Sequence, residues 1–104
     1  MQRFSAQQLF EYLEHQQPQE VEVREPWEFN ICHLQNSILL PMGQVPSNLE
    51  IFQQAQESVI ICHHGIRSLR IAHYLAQQGI YNTINQEGGV EAWARYVDLD
   101  MPTY

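Results

Sequence analysis

The chain has 104 residues, 44% of them hydrophobic and 16% charged, which suits one domain around one core and excludes a disordered composition. Its net charge is −7 and its five cations are scattered arginines, so there is no basic face for nucleic acid or for an anionic membrane surface. No apolar run approaches a membrane span, and Met1–Ser5 has no apolar signal core. The expectation is a soluble, unexported, cytoplasmic protein folded as a single domain over residues 1–104. In a reducing compartment Cys32 and Cys62 are expected as free thiols.

In chain order, Ser5 with Gln8 three residues later predicts a capping box and a helix from about Ser5 to His15, with Leu9, Phe10 and Leu13 as its apolar stripe. Glu20–Val23 reads as a strand, and Pro26 opens a short helical turn. Ser37–Leu40 is a second short strand, and Pro46-Ser47 predicts the start of another helix with Leu49, Ile51 and Phe52 inward. Ser58–Ile61 is the clearest strand: short, β-branched and apolar, as a central parallel strand buried on both faces must be. After a break from Cys62 to Arg67, Ser68 is expected to cap a helix that runs to about Gln78 and ends at Gly79. Tyr81–Ile84 reads as a strand, Gly88-Gly89 as a turn, and Val90–Tyr96 as a final helix. Strands alternating with helices predict an α/β fold: a parallel sheet of about four to five strands flanked by helices on both faces. Ligands bind such sheets beyond the carboxyl ends of the strands, and the best strand ends at Cys62.

Strand, cysteine, glycine-containing loop, arginine and helix form an arrangement with a chemical use. Gly65 permits a tight turn in which successive N–H groups face inward as an anion nest. The following helix adds unpaired amides and the positive end of its dipole. With Arg67 these donors favour a thiolate at Cys62, and equally the anionic outer sulfur of a persulfide. The chemistry expected is a double displacement, in which Cys62 takes sulfur from a sulfane donor and an acceptor removes it.

The segment Cys62-His63-His64-Gly65-Ile66-Arg67-Ser68 resembles the active-site loop of rhodanese-type sulfurtransferases. Val21–Phe29, His33-Leu34 with Ile38–Pro41, and Gly88–Trp93 are similar to further landmarks of that family, in the family's order, over about residues 20–95. The resemblance implies a parallel sheet flanked by helices, Cys62 as nucleophile, and His63, His64, Gly65, Ile66, Arg67 and Ser68 as the cradle, with Arg67 closing it. It also implies a thiosulfate- or persulfide-type donor, and a thiol, cyanide or protein acceptor. No cofactor and no metal are expected, and nothing demands more than a monomer. Two positions depart from the family: Glu22 stands where Asp is usual, and Asn36-Ser37 where Gly-Ala is usual.

Other readings compete. A phosphatase or arsenate reductase uses a Cys-x5-Arg loop, one residue longer than the spacing from Cys62 to Arg67, and position 68 is Ser. A persulfide carrier or protein-interaction module would use the acidic surface, and a relay to a partner protein would combine both roles. A metal site from Cys32, His33, Cys62, His63 and His64 lacks the usual ligand spacing. Cys32 has no visible cradle, so a structural role is expected, a resolving thiol being the alternative if it lies near Cys62. Arg24 and Glu25 are expected to brace loops, and His63 and His64 are left open between tuning the anion, contacting donor and facing solvent. Trp27, Trp93, Phe29 and the tyrosines are expected mostly as core or pocket walls.

Overall fold

In the computed structural model, which describes Met1–Tyr104, five parallel strands form one sheet in the order β1-β5-β4-β2-β3. They are β1 (Gln2–Phe4), β2 (Gln19–Glu22), β3 (Ile38–Leu39), β4 (Ser58–Ile61) and β5 (Thr83–Gln86). The helices are α1 (Ala6–Leu13), α2 (Pro26–Ile31), α3 (Glu50–Gln54), α4 (Ile66–Gln77) and α5 (Gly89–Tyr96), with a 3-10 turn over Met42–Ser47. Every residue of β4 is buried, as its apolar, β-branched sequence requires of a central strand. Alternation along β4 divides the core. Val59 and Ile61 face Leu9 of α1 and Trp93 of α5, whereas Ile60 and Cys62 face Phe52 of α3 and Ile71 and Leu75 of α4.

Several boundaries differ from the sequence expectation, each for a physical reason. β1 was not anticipated: it is a three-residue edge strand, mostly exposed, whose polar residues carry no alternation, and it is specified by parallel pairing with β5. β5 begins two residues later than expected. Tyr81 is exposed and Asn82 is spent on the carbonyls of Ala55 and Gln56, so the buried strand is the more polar Thr83–Gln86. Pro46 lies inside the 3-10 turn and α3 starts at Glu50. Helix α4 begins at Ile66, capped by Gly65 at φ 90°, so Ser68 lies within its first turn instead of capping it. At α1 both hydrogen bonds of the Ser5–Gln8 capping box form.

Two devices brace the carboxyl edge. The first is a buried polar layer. Arg24 has no exposed surface and donates to the Glu22 carboxylate, to the carbonyls of Glu28 and Cys32, and to the Tyr104 hydroxyl. Glu28 in turn takes a two-pronged ion pair from Arg67, both bonds at 2.8 Å, tying α2 to α4. The second is the turn before α5. Val90 N–H donates to the Cys62 carbonyl at 2.9 Å and Glu91 N–H to the His63 carbonyl at 3.2 Å. That approach requires a glycine: Gly89 has φ 63°, and a Cβ there would lie 2.2 Å from the His63 carbonyl oxygen.

Gly89→Ala should therefore cost at least about 2 kcal/mol, more than the left-handed backbone alone, because the loop after β4 must move as well. A urea midpoint unchanged from wild type would contradict this. The Glu28–Arg67 pair also makes a pH signature. The Arg67 guanidinium, opposed by burial, holds the Glu28 carboxyl at about 2 against an ordinary 4.5. A depressed acid contributes stability that is fully present above the ordinary value and is lost as pH falls toward the folded one. Urea unfolding of wild type and Glu28→Gln should thus differ most above pH 4.5 and converge as the pH approaches about 2.

Candidate active site

Cys62 follows β4 directly, and its sulfur is the focus of three polar contacts. Gly65 N–H donates to Sγ at 3.0 Å and Ser68 N–H at 3.3 Å. The Ser68 hydroxyl lies 3.3 Å from Sγ and donates its own proton to Asn85 Oδ1, so in the thiol form it accepts from Cys62. Asn85 is held by donating to the Gly65 carbonyl and the Glu87 carboxylate. The N–H groups of His63, His64, Ile66 and Arg67 have no acceptor in the chain. The loop thus combines two amides committed to sulfur with four uncommitted ones, the composition of an anion nest at a helix start.

Gly65 is what makes the turn possible. At φ 90° it suits only glycine, and a Cβ would lie 2.8 Å from the Gly88 nitrogen and 3.2 Å from the Gln86 carbonyl. The amides of Val90 and Glu91 occupy the Cys62 and His63 carbonyls.

The rim is organised differently from the sequence expectation. Arg67 does not close over the sulfur. Its guanidinium is engaged by Glu28 on both prongs and makes no hydrogen bond to Sγ. His63 is stacked between His64 and Tyr104, both ring centroids 3.9 Å away. Burial, and then the neighbouring His64, hold His63 below the ordinary imidazole value, so it is neutral at pH 7. His64 is exposed and pairs with Glu91 at 2.7 Å. Ile66 is 64% exposed, whereas Cys62 is 1% exposed, so the sulfur lies beneath the loop and not on the open edge of the sheet.

Three contributors were not legible from motif reading. Asn85 was hidden by the shifted boundary of β5, whose residues Thr83, Asn85 and Gln86 are polar yet buried. Glu28 lies in the Pro26 turn, and nothing in the sequence pairs it with a residue 39 positions away. Tyr104 donates to Glu28, accepts from Arg24 and packs edge-on against Trp27. Burial pushes its phenol up to about 12, so it stays a donor. Arg24 braces loops as expected, and Cys32 packs in the core on the face of the sheet opposite Cys62. No cluster of three metal-ligating side chains is present, and no helix is long and apolar enough to cross a membrane.

Comparison with known proteins agrees with this architecture. The sequence profile of the rhodanese-like domain matches residues 5–96. A putative sulfurtransferase, YtwF, of Bacillus subtilis is 36% identical over 73 residues, covering 70% of each chain. The thiosulfate sulfurtransferase GlpE of Vibrio cholerae is 32% identical over 83 residues, 80% of this chain and 78% of its own. The crystal structure of a rhodanese-like domain protein from Staphylococcus aureus superposes with a TM-score of 0.83 at 31% identity, over 100% of this chain and 99% of that one. A parallel sheet whose central strand ends in a cysteine under a glycine-turned loop, matched from helix α1 to helix α5, makes this chain a member of the rhodanese-like domain family.

Proposed function

We propose that this protein is a thiosulfate- or persulfide-type sulfurtransferase in which Cys62 is the nucleophile. The observation that carries the reading is the pair of amides, Gly65 and Ser68, aimed at the sulfur of Cys62. Such donors gain strength when the sulfur becomes anionic. With thiosulfate, the Cys62 thiolate attacks the outer sulfur, a new S–S bond forms, and sulfite leaves with the electrons of the broken S–S bond. Cyanide or a thiolate then attacks the outer sulfur of the Cys62 persulfide and restores the thiolate. A protein acceptor would make the same step a sulfur relay. No outside oxidant is needed, and a reducing cytoplasm keeps the resting thiol free.

In this reading His63, His64, Gly65, Ile66, Arg67 and Ser68 form the cradle, with unequal shares. The free amides of the loop receive the outer sulfur. Ser68 can reverse its hydroxyl, accepting from the thiol and donating to the thiolate. Arg67 serves chiefly as a brace through Glu28, and this, with only four residues between Cys62 and Arg67, argues against phosphate chemistry. Because Cys62 is 1% exposed, transfer requires side chains at the rim to swing aside while the backbone of the loop stays in place. A donor whose reacting sulfur is terminal is therefore favoured over one whose sulfur is hindered.

Intact mass spectrometry after exposure to thiosulfate should show one added sulfur atom, removed by cyanide, and no addition in Cys62→Ser. Sulfur on the variant, or none on the wild type with any sulfane donor, would remove the assignment. Single-turnover loading should slow about tenfold in Ser68→Ala, the worth of one hydrogen bond to a charged group. It should change less than about threefold in Arg67→Ala, since a guanidinium already neutralised by a carboxylate adds little. The reverse ranking would return Arg67 to direct contact with the donor.

A further inference from the structure

The sheet face under α1 and α5 carries two glutamates of β2, Glu20 and Glu22, two residues apart and therefore on the same side. Their situations differ. Glu22 accepts from Arg24, from the Leu34 amide and from the Ser37 hydroxyl. Glu20 is 9% exposed, yet no donor of the chain lies within hydrogen-bond distance of its carboxylate and no cation pairs with it. Its carboxylate oxygens are not sealed from solvent, so the charge stands unpaired by the chain and free to meet a cation that arrives. Burial, and then Glu22, push Glu20 upward from the ordinary carboxyl value, the direction expected of a charge lacking a counter-ion.

Glu20 opens into a cavity of about 870 Å³ that shares no residue with the Cys62 loop. Leu13, Leu34, Trp93 and Val97 give it an apolar wall, and Phe10 meets Trp93 edge to face at 6.4 Å. Glu14 and Asp98 also line it, no arginine does, and His33 is its one basic group, with Nδ1 against the Phe29 carbonyl. The volume lies in the range of small-molecule sites, about 300–1,000 Å³. The walls suit a hydrocarbon or aromatic body, and the unpaired carboxylate suits a cationic head. We propose that this cavity binds a small organic amine, an alkyl- or arylalkylammonium ion whose ammonium group pairs with Glu20 while its apolar part lies against Leu34 and Trp93. The ammonium would supply the donors that the chain withholds from Glu20.

The test is calorimetric titration of the full chain with n-hexylammonium, hexanol, hexanoate and a capped lysine tripeptide, with amide NMR to locate the response. Hexylammonium is expected to saturate, with shifts at Leu34 and Trp93. Its affinity should exceed those of hexanol and hexanoate by about tenfold, the worth of a charge-assisted contact. Glu20→Gln should remove that preference and leave persulfide loading at Cys62 at the wild-type rate. Gln35→Arg, at an exposed position lining the cavity, should abolish amine binding by supplying a cation from within the chain, and so tests the assignment even if Glu20→Gln does not fold. Equal affinity for amine and alcohol, binding that survives either variant, no saturable binding, or a preference for the lysine peptide over the free amine would each overturn it.

Discussion

A sulfur atom at the end of a parallel strand accepts hydrogen bonds from Gly65 and Ser68, and most of the surrounding structure can be understood as what keeps those two amides where they are. Left alone, the loop from His63 to Arg67 could relax in many ways. It is denied that freedom from three sides. Gly65 occupies a backbone conformation open to little else. The Gly88-Gly89 turn presses against it so closely that no Cβ fits, and the first amides of α5 claim the carbonyls of Cys62 and His63. Asn85 holds both the Ser68 hydroxyl and the Gly65 carbonyl. Donors fixed before reaction need no reorganisation when charge appears, which is the physical basis of the proposed catalysis.

A second layer acts at longer range. Arg24, buried without exposed surface, joins β2, α2 and the segment ending in Tyr104. Glu28 collects Arg67 and the Tyr104 hydroxyl. Buried charge is costly unless fully paired, and here each group finds several partners. The contrast with Glu20, on the same sheet face but with no partner in the chain for its carboxylate, is what singles that residue out.

Much of this was legible in the sequence, because local patterns were strong where the site is built. Ser58–Ile61 has the apolar continuity of a central strand, Cys62 and Gly65 have the order of a strand-end nest, and Ser5 with Gln8 closes its box as read. What escaped reading was specified by distant partners. β1 exists through its register with β5 and not through its own pattern. Thr83–Gln86 is mostly polar, Asn85 within it serving the Ser68 hydroxyl, so hydropathy placed the strand too early. Arg67 looked like an anion ligand from its position in the loop, and its pairing with Glu28 across 39 residues has no local signature. Ser68 looked like a cap because serine often is one, but Gly65 took that place and left the hydroxyl for sulfur.

The most direct test of this account watches the amides themselves. Amide proton and nitrogen spectra of the labelled protein, recorded before and after loading with thiosulfate, should show the largest shifts at Gly65 and Ser68 and at the free amides of His63, His64, Ile66 and Arg67. Reversal on adding cyanide should restore the original spectrum. Loading that leaves those six signals in place, or shifts concentrated elsewhere, would mean that the loop does not hold the transferred sulfur.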